Sequence, residues 1–165
     1  SEEDRRSTPI CIRLIVPAPS LSWTSLTPSE GTEIFTYLGC QLDVPLAAVD
    51  LTDYFDIFIQ PDSLQYSLPA GASLSYPACQ PSSSSSPDLQ VPGIFLCTRV
   101  ERRILWTPSN DQQGLSQRVC FQAGSLASNR LSRCLILTVS KCRYCARKGE
   151  SLLQISQEFA TDWLQ

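Results

Sequence analysis

The side chains best able to do chemistry in this 165-residue chain are its eight cysteines: Cys11, Cys40, Cys79, Cys97, Cys120, Cys134, Cys142 and Cys145. Thiols can hold zinc, attack a substrate, or oxidise in pairs. Zinc needs clustered ligands, such as two C-x2-C knuckles. Only Cys142-Arg143-Tyr144-Cys145 has that spacing, and there is no histidine to complete a site. Without histidine there is also no Cys–His nucleophile, no His-based triad and no imidazole pH switch. Asp43, Asp50, Asp53, Asp56 and Asp62 are scattered and read as solvated groups, not as an acid–base pair. No Gly-rich phosphate loop occurs. The sequence thus offers no catalytic residue, no metal ligand and no cofactor site, and we expect a protein that is not an enzyme. Disulfide formation is the chemistry that remains, and it implies an oxidising, extracellular setting.

Eight cysteines allow 105 pairings. Hairpin geometry selects two of them. Cys120 and Cys134 have their midpoint at Ala127, inside the turn-like stretch Gly124 to Arg130, so strands over 117–123 and 132–140 would face them across a hairpin. Cys79 and Cys97 have their midpoint at Asp88, at the end of a Ser-rich loop. Cys11–Cys40 and Cys142–Cys145 are what remains, and spacing alone leaves other pairings open.

The elements that must position these groups are mostly strands. Ile10, Ile12, Leu14 and Val16 alternate onto one face until Pro17 and Pro19 stop the run. Residues 17–32, rich in Pro, Ser and Thr, read as a loop or extended arm. Further strand-like runs cover 33–41, 54–60 and 64–68, with a turn at Leu68-Pro69-Ala70-Gly71-Ala72. Others cover 94–99, 101–106, 117–123 and 132–140. Short strands between turn signals predict a mainly β fold, a β-sandwich. Arg99, Arg102, Arg103, Arg118, Arg130 and Arg133 read as outer-face strand residues, with an acidic glycan as a secondary partner. Ser151 with Gln154 three residues on forms a capping-box signature. It predicts a short C-terminal helix over 151–160, with Leu152, Ile155 and Phe159 on one face. The end at Trp163-Leu164-Gln165 reads as a cut, and the absence of Met reads as a processed start.

Charge sets the partners aside. The net charge is −3 and only 18% of residues are charged, which argues against nucleic acid. No stretch approaches the roughly 20 apolar residues of a membrane helix, so no membrane insertion is expected.

Two stretches carry resemblances. Leu64 to Leu74, then Arg103-Ile-Leu-Trp106-Thr-Pro108, Asp111-Gln-Gln-Gly114, Val119-Cys-Phe-Gln-Ala123 and Leu135-Ile-Leu-Thr-Val139, are similar to cadherin-like, immunoglobulin-like extracellular domains. The resemblance covers about 33–140 and implies that Trp106 fills the core and Gly114 permits the next turn. The dense acidic loops of calcium-binding members are missing, so no calcium is implied. Cys142 to Leu164, with Gly149-Glu150-Ser151-Leu152-Leu153-Gln154-Ile155, resembles the front half of a LysM module. Glu150-Ser151 stand where Asp-Thr is usual, and the second helix and closing strand are missing. This implies carbohydrate-binding ancestry.

Together the two stretches resemble mastigoneme-like surface proteins, which implies a secreted, glycosylated structural protein that assembles into filaments. The chain then divides into an N-terminal arm over 1–32, an immunoglobulin-like/cadherin-like sandwich over 33–140, and a partial LysM-like segment over 141–165. Pro81, Ser82, Ser83, Ser84, Ser85, Ser86 and Pro87 have the composition of an O-glycosylated stretch or a flexible connection. Neither Asn110 nor Asn129 heads an N-x-S/T acceptor. Ile10, Ile12, Leu14 and Val16 would pair in cis with their own sandwich, or insert beside an edge strand of another copy. The expected partners are copies of the chain itself and covalent O-glycans. The leading expectation is a head-to-tail extracellular filament subunit. The alternative is a secreted carbohydrate-binding or adhesion module acting through the LysM-like segment.

Overall fold

The structure, a computed structural model, describes residues 21–50, 57–62, 67–81, 97–125 and 130–159. Nine strands are present among them: β1 (Ser22–Trp23), β2 (Glu33–Leu38), β3 (Leu42–Val49), β4 (Ile57–Pro61), β5 (Ser73–Leu74), β6 (Ala78–Pro81), β7 (Cys97–Trp106), β8 (Ser116–Ser125) and β9 (Arg130–Tyr144). One sheet has the order β1-β3-β7-β5, with β6 also on β7; the other has the order β2-β9-β8-β4. All pairs are antiparallel except β2–β9, which is parallel. The leading segment gives β1 to one sheet and β2 to the other, and two sheets in this order form an immunoglobulin-like β-sandwich.

Alternation along the strands builds the core. Val100, Ile104 and Trp106 of β7, Val119, Phe121 and Ala123 of β8, and Leu135, Leu137 and Val139 of β9 are buried. Val44, Leu46, Ala48, Ile57 and Ile59 complete the cluster. Trp106, the expected core filler, is 1% exposed. Its indole N–H donates to the Ala70 carbonyl at 3.2 Å, so the Leu68–Ala72 turn satisfies its polar atom. Gly114 takes φ +76°, and a Cβ there would strike the Lys141 side chain, so this turn requires glycine.

Several boundaries differ from the sequence reading. The sandwich begins at Leu21, which is 5% exposed, not at Glu33. Ser22 and Trp23 pair with Val49 and Ala48. Thr27 is buried, and its hydroxyl accepts from the Ala47 N–H at 2.7 Å and donates to the Ala47 carbonyl at 3.0 Å. A threonine side chain thereby continues the ladder where β1 ends, inside a stretch whose composition suggests a loop. β3 does not show in the pattern because Pro45 interrupts it. Proline is tolerated there because β1 pairs only with Ala48 and Val49, leaving Pro45 without a neighbour on that side. The separate runs 94–99 and 101–106 are one strand over 97–106. Ser67 to Pro69 are not in a strand, and residues 64–66 lie outside the described set.

At the C-terminal end, β9 runs on to Tyr144, so residues 141–144 are the end of the last sandwich strand and not the start of a separate segment. Helix α1 (Leu152–Glu158) follows, capped by the Ser151 hydroxyl and Gln154. Leu152 is 65% exposed, so the docked face is not the expected Leu152/Ile155/Phe159 stripe; Ser156 is buried and Phe159 packs edge-on to Tyr144 at 5.3 Å. The described residues start at the pole where Ser22 meets Val49, and α1 follows β9 at the opposite pole.

Candidate assembly surface

The disulfides fix the frame on which any surface is built. Cys120 and Cys134 are directly opposite in the β8–β9 pair, with a Cα–Cα distance of 4.0 Å. Cys79 and Cys97 join β6 to the start of β7, with Cα atoms 5.5 Å apart. These are the two pairs that the hairpin midpoints give. The other two expected pairs are corrected: Cys40 joins Cys145, 105 residues away in sequence, in place of Cys11–Cys40 and Cys142–Cys145. The parallel β2–β9 pairing carries both ends to one place. Cys145 N–H donates to the Leu38 carbonyl at 2.9 Å, and Gly39 turns the chain with φ +73° against the Tyr144 ring. Cys142 is a free, exposed thiol with φ +57°, on a bulge where β9 shifts register against β2 between Thr36 and Leu38. Cys11 lies outside the described residues.

A sandwich exposes edges, and edges decide whether it stays single. Three devices close most of them. On the β4–β5 flank, Arg102 is the decisive residue. Alternation from Thr98 through Val100 to Ile104 places it on the inner face, not on the outer face as the sequence reading has it. Its guanidinium donates to the carbonyls of Ile59 at 2.8 Å, Ser75 at 2.7 Å and Leu74 at 3.4 Å. One inward-pointing cation thus joins both sheets and occupies an edge carbonyl of β4. Burial lowers its pKa from the ordinary arginine value, and the ordinary value is so high that the charge persists. The signal was present in the period-2 pattern, since residues 98, 100, 102, 104 and 106 share a face.

On the outer face, Arg103 instead meets Asp43 at 2.7 Å in an exposed pair. On the β1–β3 flank, Thr27 closes the edge of β3. Beside β9, Glu30 accepts from the Cys134 N–H at 2.7 Å and Arg133 donates to the Pro28 carbonyl at 2.9 Å.

Among the described residues, nothing of this kind covers the outer edge of β2. The Ile136 N–H donates to the Thr32 carbonyl at 3.0 Å, and Glu33 is the register partner of Ile136. In a parallel ladder this directs the backbone groups of Ile34 and Thr36 toward β9, and those of Glu33 and Phe35 away from it. Phe35, 57% exposed, presents its ring to solvent on this strand.

At the far pole, Tyr144 OH donates to Glu150 at 2.7 Å, and the Arg147 N–H donates to the other Glu150 oxygen at 2.8 Å. These bonds, the Arg147 one first, hold the Glu150 carboxyl below the ordinary glutamate range. A shallow depression beside them is lined by Arg147, Lys148, Gly149, Glu150, Gln154 and Gln157. Among the described residues, no three Cys, Asp or Glu side chains converge as a metal site.

The other sequence-selected residues fall elsewhere. Ile10, Ile12, Leu14 and Val16 lie outside the described residues, as do Ser82 to Ser86 and Pro87; Pro81 ends β6. No helix among the described residues is long and apolar enough to cross a membrane.

The class is therefore a disulfide-bonded immunoglobulin-like β-sandwich, and its three disulfides mark an oxidising environment such as the cell exterior. No family model matches the chain, and no curated protein matches it. Among solved structures, the chain is similar to the BIgI domain of beta protein from S. agalactiae bound to CEACAM1, at 16% identity and TM-score 0.44, over 74% of this chain and 99% of that one. It is also similar to the sialic acid binding region of a Streptococcus sanguinis SK1 adhesin, at 9% identity and TM-score 0.45, over 74% of this chain. A third is the periplasmic chaperone SfaE, at 10% identity and TM-score 0.35, over 77% of this chain. The chain spans 29% of the adhesin region's length and 59% of the chaperone's.

Proposed function

We propose that this chain is a structural subunit of an extracellular, O-glycosylated filament of the mastigoneme-like kind, assembled head-to-tail and working by assembly, not turnover. The observation that carries this reading is that the described residues between 21 and 144 form a two-sheet sandwich whose β2 edge has no strand beside it among them. The apolar run Ile10, Ile12, Leu14 and Val16, outside the described residues, pairs in this reading with another copy. Burying four aliphatic side chains contributes about 6–12 kcal/mol before association costs. Head-to-tail contacts are heterologous, so they propagate unless they close into a ring. The Ser-rich segment from Pro81 to Pro87 is the glycan-bearing stretch in this reading, and mass spectra of the native protein should show hexose or pentose ladders on it.

Deletion of residues 1–20 is the direct test. The truncated protein should fold, with unchanged far-UV circular dichroism, and should sediment as a monomer where the full chain forms high-order species. Assembly that survives the deletion rules the reading out. The depression at Arg147 to Gln157 favours a second reading, a carbohydrate-binding module; binding of chitin oligomers together with unchanged assembly in the deletion would select it.

A further inference from the structure

Resting on the filament reading above, we propose that the acceptor for the arm is the outer edge of β2, and that Ile10 to Val16 of a second copy adds there as a further strand. Three observations point to this edge. Arg102 occupies the Ile59 carbonyl on the β4 edge and Thr27 occupies both backbone groups of Ala47 on the β3 edge, whereas the backbone groups of Glu33 and Phe35 face outward with no strand beside them among the described residues. Phe35 adds an exposed aromatic surface on the same strand, the type of side chain that anchors an interface.

Both partners carry charges of both signs. Glu30 and Glu33 stand at the start of β2, while Lys141, Arg143, Arg147 and Lys148 are exposed near its end, where Leu38 meets Tyr144. The arm carries Glu2, Glu3, Asp4, Arg5 and Arg6 ahead of its apolar run and Arg13 within it, so its side-chain charges balance. The added strand gains backbone hydrogen bonds from outward groups that β9 does not use.

The experiment uses the full chain. Phe35→Pro removes one outward N–H and the exposed ring without touching the β2–β9 ladder. It should abolish polymer at concentrations where the wild type is fully assembled, while the unfolding midpoint moves little. Phe35→Lys, which keeps every backbone group and places a cation on the edge, covers the case in which proline disturbs folding; it should raise the assembly threshold at least tenfold. In a third arm, p-benzoylphenylalanine replaces Phe35, and light and heavy isotope subunits are mixed before irradiation. Capture of a peptide containing residues 10–16 in mixed-isotope pairs supports the inference. Capture within one isotope only, capture of another segment, or no capture overturns it. If deletion of residues 1–20 abolishes assembly and both Phe35 variants assemble normally, the β2 edge is wrong and the filament reading stands. If the wild-type chain never assembles, both fall.

Discussion

At the scale of single residues, two polar groups carry more of the architecture than their type suggests. Arg102 reaches three carbonyls, those of Leu74 in β5, of Ser75 just beyond it and of Ile59 in the opposite sheet. Arg102→Met keeps the stem volume and leaves these acceptors without their donor. It should lower stability by about 2–4 kcal/mol, measured as a shift in the urea midpoint. Arg102→Lys should recover only part of that, because a single ammonium cannot reproduce the fork.

Glu150 makes a different kind of claim. Its pKa is held down by the Arg147 N–H first and the Tyr144 hydroxyl second. A carboxyl whose folded pKa lies below its unfolded value stabilises above the unfolded value, about 4.3, and loses that contribution as pH falls through the folded value. The contact between α1 and Tyr144 should therefore weaken in acid below pH about 4. Tyr144→Phe should move the Glu150 titration, followed by carboxyl NMR shifts, upward toward the ordinary range. An unchanged titration would show that Tyr144 plays no part.

At the scale of elements, the cystines divide by the length of chain they close. Cys120–Cys134 spans 14 residues along a hairpin and Cys40–Cys145 spans 105 across the sandwich. Loop-closure entropy assigns about 3 kcal/mol to the first and about 4.7 kcal/mol to the second. Double replacement of Cys40 and Cys145 by alanine should thus lower the denaturant midpoint more than double replacement of Cys120 and Cys134. The reverse order would mean that the long link closes a loop already organised in the denatured chain.

The same contrast explains what could be read from the sequence. The hairpin pair was legible because both partners lie in adjacent strands with clear alternation, Val119-Cys120-Phe121 and Cys134-Leu135-Ile136-Leu137. The long pair was not, because it depends on a parallel β2–β9 contact and on the turn at Gly39, neither of which leaves a local trace. β3 was hidden by Pro45, and β1 by a Pro- and Ser-rich context in which Thr27 does part of a strand's bonding. The open edge at Phe35 could not be seen before the closed edges were known, since openness is a property of a whole sheet.

At the scale of the whole molecule, the two ends of the described chain lie at opposite poles, and that polarity shapes how copies can join. The described residues start where Ser22 pairs with Val49, and α1 leaves beyond Tyr144. Only residues 17–20 separate the apolar run from Leu21, a link of at most ~17 Å between Val16 and Leu21. In the filament proposed above, each subunit would offer one donor and one acceptor, which is the valence of a linear polymer. A free peptide of residues 1–20 has the donor and lacks the sandwich. Bound to β2 of a terminal subunit, it occupies the acceptor and brings no new one, so growth must stop there. Adding this peptide should shorten filaments in electron micrographs in proportion to the peptide-to-subunit ratio. It should also bind the 21–165 fragment at one to one by calorimetry. A peptide with Ile12 and Leu14 replaced by Asp should do neither. Filaments of unchanged length at a tenfold peptide excess would show that the arm is not what joins the copies.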